Sequence, residues 1–143
     1  STWNIRHITF VSLIIGGFFQ SVLAILQFIS QSSLGLSFLK ESILSSGGTG
    51  VARIILAEES LIRAYGLFPH PNILGGFLGI TILFTVAYPL IFGRKMFHVE
   101  QSVLLYRLVL GIQVTGFLLT FSKGAFLGLL LAIGYFVYKR FHV

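Results

Sequence analysis

Two uninterrupted apolar stretches constrain this chain more than any other feature of its sequence. Residues 8–30, ITFVSLIIGGFFQSVLAILQFIS, and residues 73–92, ILGGFLGITILFTVAYPLIF, contain no Lys, Arg, Asp or Glu. A helix needs about 20 largely apolar residues to cross a hydrocarbon core roughly 30 Å thick. Only 10% of the residues are charged, whereas a soluble domain typically has about 25%. The pattern predicts an integral membrane protein.

Two further segments fit the same interpretation less fully. Residues 103–121 contain Arg107, and residues 124–138 are short for a crossing, although Lys123 and Lys139 can extend their amines to the two interfaces. Residues 1–143 are expected to form a single helical membrane domain, a fragment of a larger multi-pass bundle. The predicted fold class is an all-α integral membrane protein with a long, partly helical loop at 31–72 and about four transmembrane helices, at approximately 8–30, 73–92, 103–121 and 124–138.

The distribution of basic residues predicts the orientation, because short cytoplasmic loops carry the excess of Lys and Arg. If all four segments cross, one side collects most of the basic residues and histidines, namely Arg6, His7, Arg94, Lys95, His98, Arg107, Lys139, Arg140 and His142. We therefore expect both termini in the cytoplasm and loop 31–72 on the extracytoplasmic side. The net charge of +6 does not indicate nucleic-acid binding, since the basic residues are scattered in ones and twos.

The second half of the long loop has an ambiguous pattern. Residues 51–68, VARIILAEESLIRAYGLF, place apolar side chains at approximately helical spacing. An amphipathic helix at the outer membrane surface fits this spacing, and ordinary packing of the loop against the helices fits it equally well. Within the predicted spans, Gln20, Gln27 and Gln113 are expected to pair with other helices; the alternative is that they line a substrate path.

Several side chains that can take part in binding or catalysis lie close together in one ten-residue stretch, RAYGLFPHPN at 63–72. The guanidinium of Arg63 is a fixed fork of donors that matches the oxygens of a phosphate or pyrophosphate. The imidazole of His70 can accept a proton from an attacking hydroxyl, and its two flanking prolines stiffen the backbone. Asn72 is suited to cap the helix that follows. The prolines and Asn72 thus have a structural explanation, whereas Arg63 and His70 are candidate catalytic residues.

These residues resemble those of the bacterial O-antigen ligase and O-antigen polymerase-like family of multi-pass membrane proteins. RAYGLFPHPNILGGFL at 63–78 is similar to the family's pattern of Arg, then Gly, then (Asn or His)-Pro-Asn entering a span. TFSKGAFLGLLL at 120–131 is similar to the family's Thr-x-Ser-Arg-Gly-Ala segment. Lys123 stands where the family commonly has arginine, so the charge is kept but the two-point geometry of a guanidinium is lost.

The resemblance implies a metal-independent membrane glycosyltransferase without a cofactor. It would transfer a glycan from undecaprenyl pyrophosphate to an acceptor hydroxyl on the outer side of the bacterial plasma (inner) membrane. The expected partners are this lipid-linked donor, a glycan or lipid acceptor and the bilayer, with no nucleic acid. Carried over by position, Arg63 is expected to bind the pyrophosphate. The expected role of His70 as the base follows from its imidazole and not from the resemblance, because the family often has asparagine at this position. The expected substrate contacts are Lys123, Ser122, Tyr65, Asn72 and Arg53.

Two questions stay open at the level of the sequence. The alternative function is that of a non-catalytic membrane protein, either an assembly partner or a transporter subunit. A family feature in a later outer loop, a His-Asn type motif, does not occur in residues 1–143, so we expect an incomplete active site. The residues also do not distinguish ligation from polymerisation, and they do not identify the glycan or the acceptor.

Overall fold

The computed structural model describes residues 2–45, 47–93 and 100–142, and within these it contains four long helices and one hairpin. The elements in chain order are α1 (Thr2–Ser30), a 3₁₀ turn (Ser37–Leu39), β1 (Arg53–Leu56), β2 (Glu59–Ile62), α2 (Pro71–Phe92), α3 (Glu100–Leu119) and α4 (Lys123–His142). Helices therefore occupy all four predicted places. Of the residues used to predict the orientation, Arg94, Lys95, His98 and the side chains of Arg140 and His142 lie outside the described residues.

Two of the helices are long and apolar enough to cross a membrane, over Asn4–Ser30 in α1 and over Pro71–Phe92 in α2. The apolar part of α3 is shorter, Val103–Leu119, and spans only about 25 Å at 1.5 Å per residue. The apolar run of α4 between its first lysine and Lys139 spans about 22 Å by the same measure. The prediction of a mostly helical chain is thus confirmed. Four segments were predicted to be long enough to cross a membrane, and among the described residues two helices have that length.

The prediction of an amphipathic helix within residues 51–68 is wrong, because this segment forms an antiparallel hairpin. Strand β1 pairs with β2 in a register that puts Arg53 opposite Ile62. Before α2 begins, the helical part of loop 31–72 is, among its described residues, the single turn Ser37–Leu39. The loop is therefore partly helical as predicted only in this short turn.

The turn of the hairpin explains how the segment reverses. Ala57 and Glu58 connect the strands, and both have positive φ, 48° and 72°. Two residues of positive φ give the twist that a two-residue hairpin loop favours. The strand residues before them include Ile54 and Ile55, and β-branched side chains of this kind pack well on a pleated surface.

The helices pack around α1 and α2: α1 contacts α2 and α3, and α2 also contacts α4. A buried polar link joins three of them. Gln113 of α3 donates from Nε2 to the carbonyl of Ile14 in α1 (3.1 Å), and its Oε1 accepts from the hydroxyl of Thr85 in α2 (2.7 Å). The expected pairing of Gln113 with other helices is confirmed.

Candidate functional site

A buried amide of α1 holds the backbone that follows Arg63. Oε1 of Gln27 accepts hydrogen bonds from the N–H groups of Tyr65 (3.2 Å) and Gly66 (2.8 Å). Its Nε2 donates to the carbonyl of Gly66 (2.9 Å). Only 1% of Gln27 is exposed to solvent, so breaking these bonds would leave buried polar groups unpaired.

Two more glutamines extend this arrangement along segment 62–67. Oε1 of Gln20 accepts from the N–H of Leu67 (2.9 Å), and Oε1 of Gln31 accepts from the N–H of Ile62 (2.6 Å). Gln20 lies seven residues before Gln27 and therefore shares its helix face. The prediction that Gln20 and Gln27 pair with another helix is wrong, because their side-chain amides form hydrogen bonds with backbone groups of the loop.

Glu41 completes the network on the loop side. Its carboxylate accepts from Nε2 of Gln27 (2.8 Å) and from the N–H groups of Leu34 (2.6 Å) and Leu36 (2.7 Å). Burial by itself raises the pKa of Glu41, but the hydrogen bonds from Leu34, Gln27 and Leu36 outweigh burial and hold the pKa below its ordinary value. The charged form of Glu41 therefore stabilises this part of the loop.

Arg63 joins three elements at one point, which we call the junction: the base of the hairpin, the start of α2 and the α3–α4 turn. Its Nε donates to the carbonyl of Thr120 (2.7 Å), and its Nη2 donates to Oδ1 of Asn72 (2.6 Å). Next to it, the N–H of Ala64 donates to the carbonyl of Leu119 (3.1 Å). The structure thus brings together the two segments that carry the family resemblance.

The charge of Arg63 is not neutralised by a neighbouring carboxylate in the part of the chain that the structure describes, where no ion pair or further bond of this guanidinium occurs. Burial lowers the pKa of Arg63, yet a guanidinium stays protonated at any physiological pH. Its second terminal nitrogen, Nη1, makes no hydrogen bond within the described residues. A positive charge with a spare donor is suited to bind an anion.

His70, and not Asn72, caps α2. His70 is extended, with φ −152°, and its Nδ1 accepts from the N–H of Asn72 (3.2 Å), while Pro71 occupies the first helical turn. The predicted capping role of Asn72 is wrong because its side-chain oxygen accepts from Arg63 instead. Because Nδ1 accepts a hydrogen bond, the geometry assigns the proton of the neutral imidazole to Nε2. His70 is exposed, so this Nε2–H can donate to a ligand.

The α3–α4 turn carries two of the predicted substrate contacts. Oγ of Ser122 accepts from the N–H of Ala125 (3.3 Å) and so caps α4, while Lys123 begins that helix and is exposed. The turn approaches α2 closely at Gly75. A Cβ on Gly75 would lie 2.8 Å from Cβ of Ser122 and 2.9 Å from Oγ1 of Thr120. Gly75 therefore sets the position of the turn, and with it that of Lys123.

An apolar groove of about 400 Å³ lies beside this turn. Ile54 of the hairpin forms one part of its lining, and Lys123 brings a positive charge to it. The other lining residues come from the turn and the adjoining helix ends: Phe117, Leu118, Leu119, Phe121, Ser122 and Phe126. Since side chains alternate along strands, the hairpin register puts Arg63 on the same face as Ile54. The groove and Arg63 thus belong to one side of the hairpin.

Two predicted substrate contacts lie elsewhere. The register puts Arg53 on the opposite hairpin face from Arg63, and its Nη2 donates to the carbonyl of Ser45 (3.2 Å). Tyr65 is buried, and its hydroxyl accepts from the N–H of Ala52 (2.6 Å). Of the predicted site residues, four therefore lie around the junction: Arg63, Asn72, Ser122 and Lys123. His70 lies at the adjoining start of α2. Arg53 and the hydroxyl of Tyr65 lie away from the junction.

Three contributors to this site were not identified from the sequence: Glu41, Gly75 and the carbonyl of Thr120. Glutamines inside an apolar segment are a signal that a polar partner packs there, and they could have pointed to the loop. A backbone carbonyl such as that of Thr120 carries no such signal, because every residue type supplies one.

In the described part of the chain, no group of three or more His, Asp and Glu residues is placed to hold a metal ion. Comparison with models of protein families, with curated proteins and with solved structures gave no match.

Proposed function

We propose that the chain belongs to a membrane glycan ligase or polymerase that uses an undecaprenyl-pyrophosphate donor. The enzyme transfers the glycan to an acceptor hydroxyl on the outer side of the bacterial plasma membrane, without metal or cofactor. In this proposal all four helices cross the membrane as part of a larger multi-pass bundle, with both termini in the cytoplasm. Loop 31–72 and the α3–α4 turn then face outward together.

The observation that carries the proposal is the geometry of Arg63. Two nitrogens of its guanidinium are fixed by Thr120 and Asn72, and Nη1 makes no hydrogen bond within the described residues. The α3–α4 turn that holds Thr120 also carries Lys123, which is exposed. In the reaction, the acceptor oxygen bonds to the anomeric carbon while the bond from that carbon to the phosphate oxygen breaks. The electron pair leaves with undecaprenyl pyrophosphate. A charge fixed in place before the reaction stabilises this leaving group most effectively.

The groove beside Lys123 suits the lipid part of the same donor. It is apolar and lies where the hairpin meets the α3–α4 turn. A polyprenyl chain in this groove would place its pyrophosphate next to Lys123 and the junction. The apolar lining and the charge together match a ligand that has both a hydrocarbon chain and an anionic head.

His70 fits the role of a hydrogen-bond donor better than that of the base. Acting as a base through Nε2 requires the tautomer with a proton on Nδ1, and that tautomer cannot accept the N–H of Asn72. The cap and the base role therefore compete. We assign the Nε2–H of His70 to the donor pyrophosphate, and expect the base that takes the hydroxyl proton outside residues 1–143.

The test is glycan transfer by Arg63→Ala and Arg63→Lys variants of the full-length protein in membranes. We expect Arg63→Ala to lose transfer by about 100-fold or more, the usual effect of removing a fixed donor to developing charge. Arg63→Lys keeps the charge without the fork and is expected to fall about 10-fold. Glu59→Ala, at the exposed hairpin tip, is the control and is expected to transfer normally.

Membrane yield and thermal unfolding of each variant separate loss of transfer from loss of fold. A folded Arg63→Ala protein with normal transfer would overturn the proposal and favour the non-catalytic alternative, an assembly partner or transporter subunit. If Arg63→Ala does not fold, the decision falls to Arg63→Lys, for which unchanged transfer would likewise contradict the assigned role.

A further inference from the structure

The loop between α1 and the hairpin displays three large apolar side chains within six residues. Phe38 is 78% exposed, Ile43 is 88% exposed and Leu39 is 39% exposed. None of them belongs to the two buried clusters of the described residues. Single exposed apolar residues need no explanation, but a group of them marks a surface that contacts something other than water.

Glu41 fixes the position of this group along α1. Its carboxylate accepts from Nε2 of Gln27 (2.8 Å), a residue three positions before α1 ends at Ser30. Three helical residues correspond to about 4.5 Å along the axis. The N–H of Ser33 also donates to the carbonyl of Leu44 (3.1 Å), which closes the loop at the helix end. The segment therefore folds back beside the last turn of α1 instead of extending away from it.

The last turn of α1 ends a segment that is long and apolar enough to cross a membrane. On that turn Ile29 is 74% exposed, so the apolar surface of the helix continues to its end. An apolar group beside this turn lies at the level of a bilayer interface when α1 crosses. Its surroundings there are the headgroups and the first methylene groups of the lipid chains.

We propose that residues 36–44 form an interfacial anchor, in which Phe38, Leu39 and Ile43 insert into the boundary between the headgroups and the acyl chains of the bilayer. Lys40 supplies the matching charge for lipid phosphate. Its side chain is exposed, and its ammonium group has no partner within the described part of the chain, while the neighbouring Glu41 is occupied by Gln27 and loop amides. Side chains of this type reach about 5–10 Å into the interface.

The anchor has a consequence for the junction. Glu41 and the carbonyl of Gly66 share the same donor, Nε2 of Gln27. Insertion of residues 36–44 therefore fixes, through the side chain of Gln27, the depth in the membrane of the loop segment that follows Arg63. The anchor rests on α1 crossing the membrane and does not depend on glycan transfer.

The experiment uses tryptophan fluorescence, since Trp3 is the sole tryptophan of the sequence. In a background of the full-length protein in which Trp3 and any tryptophan outside residues 1–143 are replaced by Phe, Phe38→Trp and Ile43→Trp are made separately and reconstituted into phosphatidylcholine vesicles. Lipids brominated near the start of the acyl chains serve as the quencher. Thr49→Trp, in the exposed turn of the same loop, is the matched control.

We expect brominated lipid to remove roughly half of the emission at positions 38 and 43, as for side chains at interfacial depth, and to leave position 49 unquenched. Unquenched emission at long wavelength from both anchor positions would show contact with water and overturn the proposal. Unquenched emission at short wavelength would show that protein covers the segment, and would overturn it equally. Transfer by Arg63 variants has no bearing on these outcomes, so the two proposals fail separately.

Discussion

Arg63 illustrates how one side chain can have a structural and a chemical role at the same time. Its bonds to Thr120 and Asn72 tie the hairpin base to α2 and to the α3–α4 turn. The same bonds fix the plane of the guanidinium and so determine where Nη1 lies. A lysine retains the charge, but its three donors lie on one nitrogen and do not reproduce the planar fork whose separate nitrogens bind Thr120 and Asn72. This is why Arg63→Lys is as informative as Arg63→Ala.

Glu41 should make the stability of the loop depend on pH. Its pKa in the folded protein lies below the ordinary value of 4.5. A carboxylate of this kind adds stability above its unfolded pKa, and the contribution is lost as the pH falls through the folded pKa. We expect Glu41→Gln to lower the free energy of unfolding at pH 7 by about 1–3 kcal/mol, the usual value for hydrogen bonds to a charged group.

The measurement is thermal unfolding in detergent for wild type and Glu41→Gln between pH 7 and pH 3. The difference between the two proteins should be largest at pH 7 and should shrink once the pH falls below 4.5, the ordinary value. Glu58→Gln, an exposed change at the hairpin turn, should leave the unfolding temperature unaltered throughout. A difference between wild type and Glu41→Gln that stays constant with pH would rule out the charged form as its cause.

At the scale of single residues, the sequence identified the charged side chains of the site but not their hydrogen-bond partners. It singled out Arg63 for its place in the stretch 63–72, and Lys123 through the resemblance of residues 120–131 to a known family. It assigned the cap of α2 to Asn72, whereas His70 makes that bond. The choice between two capping residues depends on which side chain is already engaged, and here Arg63 engages Asn72.

Among the elements, the long apolar segments were predictable and the hairpin was not. Helices with about 20 apolar residues follow from length and composition. Segment 51–68 lacks the Asn-Gly or Asp-Gly pair that identifies most two-residue hairpins, since Ala57 and Glu58 form its turn. Its partners are also distant in the sequence. Gln31, directly after α1, accepts from the N–H of Ile62 in β2, and Gln27 of α1 accepts from the N–H of Gly66. The spacing of residues within segment 51–68 contains no information about these hydrogen bonds to distant glutamines.

Gly75 should be the glycine of α2 that tolerates substitution least. A Cβ there would meet Ser122 and Thr120 at distances under 3.0 Å, whereas a Cβ on Gly76 would meet no atom within 4 Å. We expect Gly75→Ala to lower the free energy of unfolding by about 1–3 kcal/mol through overpacking. Gly76→Ala should be neutral or stabilise the helix by up to about 1 kcal/mol.

Thermal unfolding of both variants in detergent checks this difference, and glycan transfer checks its consequence for the site. Because Gly75 sets the distance of the α3–α4 turn from α2, Gly75→Ala should also reduce transfer, and Gly76→Ala should not. Equal stability of the two variants would mean that the turn does not pack on α2 as the structure shows.

For the whole molecule, the contacts at the junction determine which ends of the helices lie together. Ala64 bonds to Leu119 and Arg63 to Thr120, so the end of loop 31–72 and the α3–α4 turn share one side. Helices α2 and α3 both extend away from that side. If α2 crosses the membrane, the end of α2 and the start of α3 must lie on the opposite side. Arg94 and Lys95, which lie between these two helices in the sequence, favour the cytoplasm.

Single cysteine variants test this orientation, because residues 1–143 contain no cysteine, and any cysteine elsewhere in the full-length protein is first replaced by serine. We expect Thr49→Cys, in the exposed turn of loop 31–72, to react with a membrane-impermeant maleimide added to intact cells. Met96→Cys, which lies outside the described residues, should react only after the membrane is permeabilised, because we expect the neighbouring Arg94 and Lys95 to favour the cytoplasmic side. The reverse pattern would place Arg63 in the cytoplasm, away from an outward-facing lipid-linked donor, and would contradict the proposed function together with the orientation. Reaction of both residues in intact cells would show that α2 does not cross.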